Sequence, residues 1–136
     1  MVKIIMGPKG TGKTKSLVEL VKKASQEESG SVICIEKDRN LTYDIPHTAR
    51  LIHAGEYSFG TVEYFLGFIN GLHAGNYDIS HVFIDNFFKL FDELDFDGMA
   101  KILDVLDEFG KRESIKFTIT VTADPATVGD NIKKYL

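Results

Sequence analysis

Residues 7 to 14 read Gly-Pro-Lys-Gly-Thr-Gly-Lys-Thr, directly behind a short apolar run. The spacing fits G-x-x-x-x-G-K-[ST], a turn whose backbone N–H groups can point inward at phosphate oxygens. Such a turn needs glycine, which accepts positive φ angles and lets a ligand approach the backbone closely. A helix starting directly behind it adds free N–H groups and the positive end of its dipole. In that arrangement Lys13 reaches the β- and γ-phosphates of a nucleoside triphosphate, and the Thr14 hydroxyl ligates magnesium. Gly7, Pro8, Lys9, Gly10, Thr11, Gly12 and Lys15 complete the candidate binding loop. A glycine-rich turn that binds nothing is the weaker account, because a buried strand precedes the motif and an amphipathic helix follows it.

Chemistry of this kind needs a second acidic group on a neighbouring strand, to hold magnesium through water. His81-Val82-Phe83-Ile84-Asp85 supplies one, an apolar strand ending in aspartate. Alone, Asp85 would serve equally well to close a turn or cap a helix. Its combination with the 7–14 loop makes it the candidate metal residue beside Thr14.

The elements that must position these groups follow from periodicity. Val2 to Met6 predicts a short buried strand, halted by Gly7-Pro8. From Lys13, Leu17, Leu20, Val21 and Ala24 mark one face of a helix, with Gly30 as its expected stop. Residues 31–36 and, more weakly, 48–53 predict strands. Val62, Phe65, Leu66, Ile69 and Leu72 place a helix over 60–74. Residues 81–85 form a strand, Met99 to Phe109 mark a helix over 98–112, and 115–122 is the last clear strand. There Thr118, Thr120 and Thr122 alternate with apolar neighbours, the pattern of a half-exposed face. Strands alternating with helices imply right-handed crossovers and a mainly parallel sheet covered on both faces. The tail over 125–136 carries no clear pattern.

Through "GPKGTGKT" (Walker A) and "HVFID" (Walker B) the chain resembles the P-loop NTPase superfamily, and the alternation extends the likeness over most of residues 1–124. It is similar to the RecA/AAA-type branch and, in its early loop and "VFIDNFF" stretch, to thymidine kinase. The resemblance implies an α/β, three-layer P-loop fold with a mainly parallel, about five-stranded sheet, a single domain over 1–136. It implies that the 115–122 strand inserts between the two Walker strands and that Thr122 senses the γ-phosphate. It also implies ATP and Mg²⁺ as ligands, with Lys13, Asp85, Asn86 and Thr122 as the catalytic set.

The departures matter as much. Asn86 stands where the RecA-type branch carries a glutamate that polarises water, and an amide cannot accept a proton. No N-K-x-D guanine-recognition motif follows, and there is no arginine-rich lid. The zinc-binding cysteines and substrate lasso of thymidine kinase are missing. A far-edge strand could come only from 131–136, so the resemblance is to a minimal core.

Bulk properties narrow the rest. The 136 residues are 43% hydrophobic and carry a net charge of −4, which argues against nucleic acid as the main partner. No apolar run approaches the roughly 20 residues of a membrane span. The N-terminus lacks the form of a signal peptide, so cytoplasm is the expected compartment. Cys34, alone in an apolar run, reads as a small core residue. The four histidines show no metal-ligand spacing. Arg39 reads as solvated surface, with a nucleotide or partner contact as the other account. Phe87, Leu90, Phe91 and Leu94 suggest a short core-facing helix, or an exposed aromatic patch for self-association or a partner. The acidic residues from Asp92 to Glu108 read as a solvated face, with a docking surface for a basic partner as the other account. The expected activity is slow Mg²⁺-dependent hydrolysis of ATP. The alternatives are a nucleotide-dependent binding module completed by a protein partner or homo-oligomer, and a small-molecule kinase.

Overall fold

Each apolar run that opens a strand–helix unit becomes a strand of one parallel sheet. The computed structural model describes residues 1–57 and 59–136. The strands are β1 (Val2–Gly7), β2 (Ser31–Glu36), β3 (Ala49–His53), β4 (Ile79–Ile84) and β5 (Lys116–Thr122). The helices are α1 (Lys13–Glu27), α2 (Val62–Gly75), α3 (Phe96–Glu113) and a single-turn α4 (Asp130–Lys133). The sheet order is β1-β5-β4-β2-β3, with every pair parallel. β5 therefore lies between β1 and β4, the position expected of the 115–122 strand.

Helices cover both faces, which gives three layers. On one face Leu17, Val18, Val21 and Ala24 of α1 pack on Val32, Cys34 and Phe83. On the other, Phe65 and Ile69 of α2 and Met99 to Phe109 of α3 pack on Ile33, Ile35, Val82, Ile84, Ile119 and Val121. The helix starts have local causes. Thr61 Oγ1 accepts a hydrogen bond from Tyr64 N at the head of α2, and Asp95 accepts one from Gly98 N at the head of α3. Among the described residues no helix is long and apolar enough to cross a membrane.

Two expectations need correcting. The threonine face of β5 is not half-exposed: Thr118 and Thr120 are 6% and 0% exposed. A strand in mid-sheet is covered on both faces, and its polar residues must then find partners inside. Gly30 does not end α1, which stops at Glu27. Its reason is close approach, since a Cβ there would lie 2.5 Å from the Asp78 carbonyl oxygen. The segment after Asp85 is a short helix of 3-10 type, Phe87–Leu90. Phe87, Leu90 and Phe91 are buried, in keeping with the core-facing account. In keeping with a minimal core, 131–136 forms no strand. It ends in α4, with Ile132 buried and the Tyr135 carbonyl accepting from Ile4 N on β1.

Candidate functional site

The C-terminal ends of the strands set the stage. Gly7 of β1 pairs with Thr122 of β5, and Ile84 of β4 pairs with Ile119 of β5 and Ile35 of β2. Gly7, Thr122, Asp85 and Glu36 thus end up along one edge of the sheet, where ligands of open parallel sheets bind.

The 7–14 loop turns through two left-handed glycines, Gly10 at φ 83° and Gly12 at φ 81°. Any other residue would be strained at either position. Gly7 is required for a different reason: its Cβ would sit 2.9 Å from Thr11 Oγ1. Thr11 Oγ1 and Lys13 Nζ both donate to the Pro8 carbonyl, at 2.7 and 2.8 Å. This folds the Lys13 ammonium back over the loop, and the residue is largely buried. The loop opens on a cavity of about 430 Å³ lined by Lys9, Gly10, Gly12, Lys13, Thr14, Lys15, Asn86, Phe88, Lys89 and Thr122. Four lysines on one small cavity in an acidic chain make a site for a polyanion.

Asp85 sits just behind that lining and is buried. Its N–H donates to Ile35 O, which anchors it to β2. Its carboxylate accepts from Thr14 Oγ1 at 3.1 Å to each oxygen, from Thr120 Oγ1 at 2.7 Å and from Asn86 Nδ2 at 3.2 Å. Thr120 Oγ1 in turn accepts from Asn86 N at 2.8 Å, so one hydroxyl orients both residues. Asn86 adopts φ 54°, ψ 65°, and its Oδ1 lies 3.5 Å from Thr122 Oγ1.

Thr14 Oγ and the Asp85 carboxylate are hard oxygen donors side by side, which fits magnesium. Among the described residues no group of three or more histidine, cysteine, aspartate or glutamate side chains could hold a metal. A cation here would therefore complete its shell with substrate oxygens and water, as magnesium does.

The sequence-predicted residues are thus brought together: Lys9, Gly10, Gly12, Lys13, Thr14, Lys15, Asn86 and Thr122 line the cavity, while Gly7, Pro8, Thr11 and Asp85 build its frame. Arg39 is elsewhere, paired with Glu56. Three contributors escape the sequence reading. Thr120 was legible only as one of an alternating row, and Phe88 and Lys89 only as part of an aromatic segment. Glu36, beside Asp85, is a buried carboxylate that burial pushes upward despite the N–H groups of Leu41 and Asn40. It accepts from Asn40 N at 2.9 Å and Leu41 N at 3.1 Å, and lies 3.4 Å from His53 Nδ1. It therefore ties down the 37–48 connection and does not line the cavity. A broader groove of about 940 Å³ runs along β3, but its described lining carries no carboxylate.

No model of a known protein family matches the chain, and no curated protein matches it.

Proposed function

We propose that the chain is a small P-loop NTPase that binds ATP with magnesium at the Gly7–Thr14 loop and hydrolyses it slowly. One observation carries this reading: Thr14 and Asp85, 71 residues apart in sequence, are hydrogen-bonded beside a cavity lined by Lys13 and three further lysines. Loop N–H groups and the α1 N-terminus would hold the phosphates, and Lys13 would leave the Pro8 carbonyl to neutralise them. Thr14 and Asp85 would hold magnesium, which when bound neutralises phosphate charge and orients the transferred group. The absence of N-K-x-D is the reason for choosing ATP over GTP. Asn86 and Thr122 can orient a water, but neither can take its proton at neutral pH, so turnover should fall well below the roughly 10 s⁻¹ of a median enzyme. Asn86 also favours a second reading, in which a protein partner supplies the missing catalytic group.

Thermal melting with ATP, GTP, ADP and dTTP under magnesium tests the binding. A ligand at a hundredfold excess over Kd adds about 2.7 kcal/mol, several degrees for a domain of this size. Lys13→Ala should remove most of the shift. It should hardly move the ligand-free melting point, because Thr11 still donates to the Pro8 carbonyl. The absence of any shift in the unmodified protein would remove this reading.

A further inference from the structure

Lys89 lines the same cavity as Lys13 but comes from the opposite wall, on the 3-10 turn behind Asp85 and Asn86. Its backbone is fixed. Phe87, two residues before it, and Leu90, directly after it, are 0% and 1% exposed, and Lys89 N donates to Asn86 O at 3.0 Å. Its ammonium is not fixed. It lies 3.7 Å from Asp38 Oδ2, with both side chains more than half exposed, and pairs of that kind are weak and easily exchanged. None of the chain's arginines does this work: Arg39 pairs with Glu56, Arg112 lies over Phe109, and Arg50 is on β3.

A triphosphate seated on the 7–14 loop with Lys13 and Thr14 at its β- and γ-phosphates directs its terminal phosphate toward Asp85 and Asn86. That is the side from which Lys89 enters. We propose that Lys89 is a second γ-phosphate contact beside Lys13, exchanging Asp38 for the terminal phosphate and so making the site prefer triphosphate to diphosphate. The proposal rests on the nucleotide-binding reading above. Lys89 supplies in cis the positive charge that other enzymes take from an arginine finger, and Asp38 is its resting partner in the β2–β3 connection.

Calorimetric titration of the full chain with Mg-ATP and Mg-ADP tests it, in unmodified protein and in Lys89→Ala, Lys89→Arg, Asp38→Asn and Lys101→Ala. Lys101 is exposed on α3, outside the cavity, and controls for net charge. Lys89→Ala should weaken ATP about tenfold and ADP hardly at all, the effect of one charge-assisted contact at a half-exposed site. Lys89→Arg should keep the preference. Asp38→Asn should strengthen ATP binding, because Lys89 no longer has to leave a partner. Equal weakening of ATP and ADP in Lys89→Ala, no change, or the same change in Lys101→Ala would overturn the γ-phosphate role while leaving nucleotide binding intact. Binding of neither nucleotide by the unmodified protein would overturn both.

Discussion

Asn86 holds a left-handed backbone that asparagine tolerates better than most side chains. Its Nδ2 donates to the Asp85 carboxylate, so the residue both shapes the turn and satisfies its neighbour. On the hydrolysis reading proposed above, replacing it with glutamate would supply a carboxylate able to polarise water at this position. A positioned base contributes about 10²–10⁴-fold, but a transplanted one lacks its supporting shell. Single-turnover hydrolysis by Asn86→Glu should therefore rise about tenfold, and only with magnesium present to offset the charge beside Asp85. The same variant should melt lower without ligand, since glutamate tolerates the left-handed backbone less well than asparagine and its new charge lies beside Asp85. Fast turnover by the unmodified protein, slowed in Asn86→Glu, would place the base elsewhere and favour a kinase reading.

At the scale of elements, the C-terminal end of α1 is tied to β4 and β5 by a buried polar group. His81 Nδ1 lies 2.9 Å from Glu28 Oε2 and its Nε2 2.8 Å from Thr118 Oγ1, with the ring stacked on Phe83 and Lys116 3.6 Å from Glu28. Burial holds the imidazole below its ordinary value of 6.5, although the Glu28 hydrogen bond and charge pull upward. The unfolded chain then binds the proton more readily than the folded one, so stability should fall as the pH drops below about 6.5. Burial raises the Glu28 carboxyl, but its bond to His81 and nearby positive charge leave it below its ordinary 4.5. Its contribution is lost only at still lower pH. Urea midpoints should therefore fall between pH 7.5 and 5.5, and fall less in His81→Gln. An unchanged slope in that variant would mean that His81 binds its proton equally readily in the folded and unfolded chain. Why this network was hidden, while the 7–14 loop and Asp85 were legible, is a matter of range. The loop's glycines answer a local backbone demand, and apolar runs announce buried strands wherever they sit. The burial of Thr118, Thr120 and His81 depends on β5 lying between β1 and β4, which no local pattern records. Gly30 was misread for the same reason, its cause being Asp78 across the sheet's N-terminal edge.

For the molecule as a whole, a five-stranded open sheet leaves two edges, and an uncovered edge is a template for association. Residues 130–136 cover the β1 edge. Tyr135 O accepts from Ile4 N at 2.8 Å, Tyr135 hydroxyl donates to Asp104, Lys134 pairs with Asp104, and Ile132 is fully buried among α3 and β1 neighbours. This tail offered no periodicity because its fit is to one strand edge and one helix side rather than to a repeating face. Ile132→Ala should cost about 2–5 kcal/mol, the usual range for emptying a buried isoleucine site. That is a drop of several degrees or more in melting temperature. Removing 130–136 should cost more, and it should also produce self-association on warming, seen by light scattering, because the outward Ile4 N–H of β1 loses its partner and Ile132 its packing. The candidate site is built at the C-terminal ends of β1, β5 and β4, away from this tail's contact at Ile4, with Gly7 paired to Thr122 and Ala123 N donating to Gly7 O at 3.1 Å. The nucleotide-induced shift in Ile132→Ala should therefore match that of the unmodified protein from a lower starting point. A loss of the shift along with the stability would show that the tail helps set the loop, and equal melting of truncated and full chains would show that it does not pack on β1 at all.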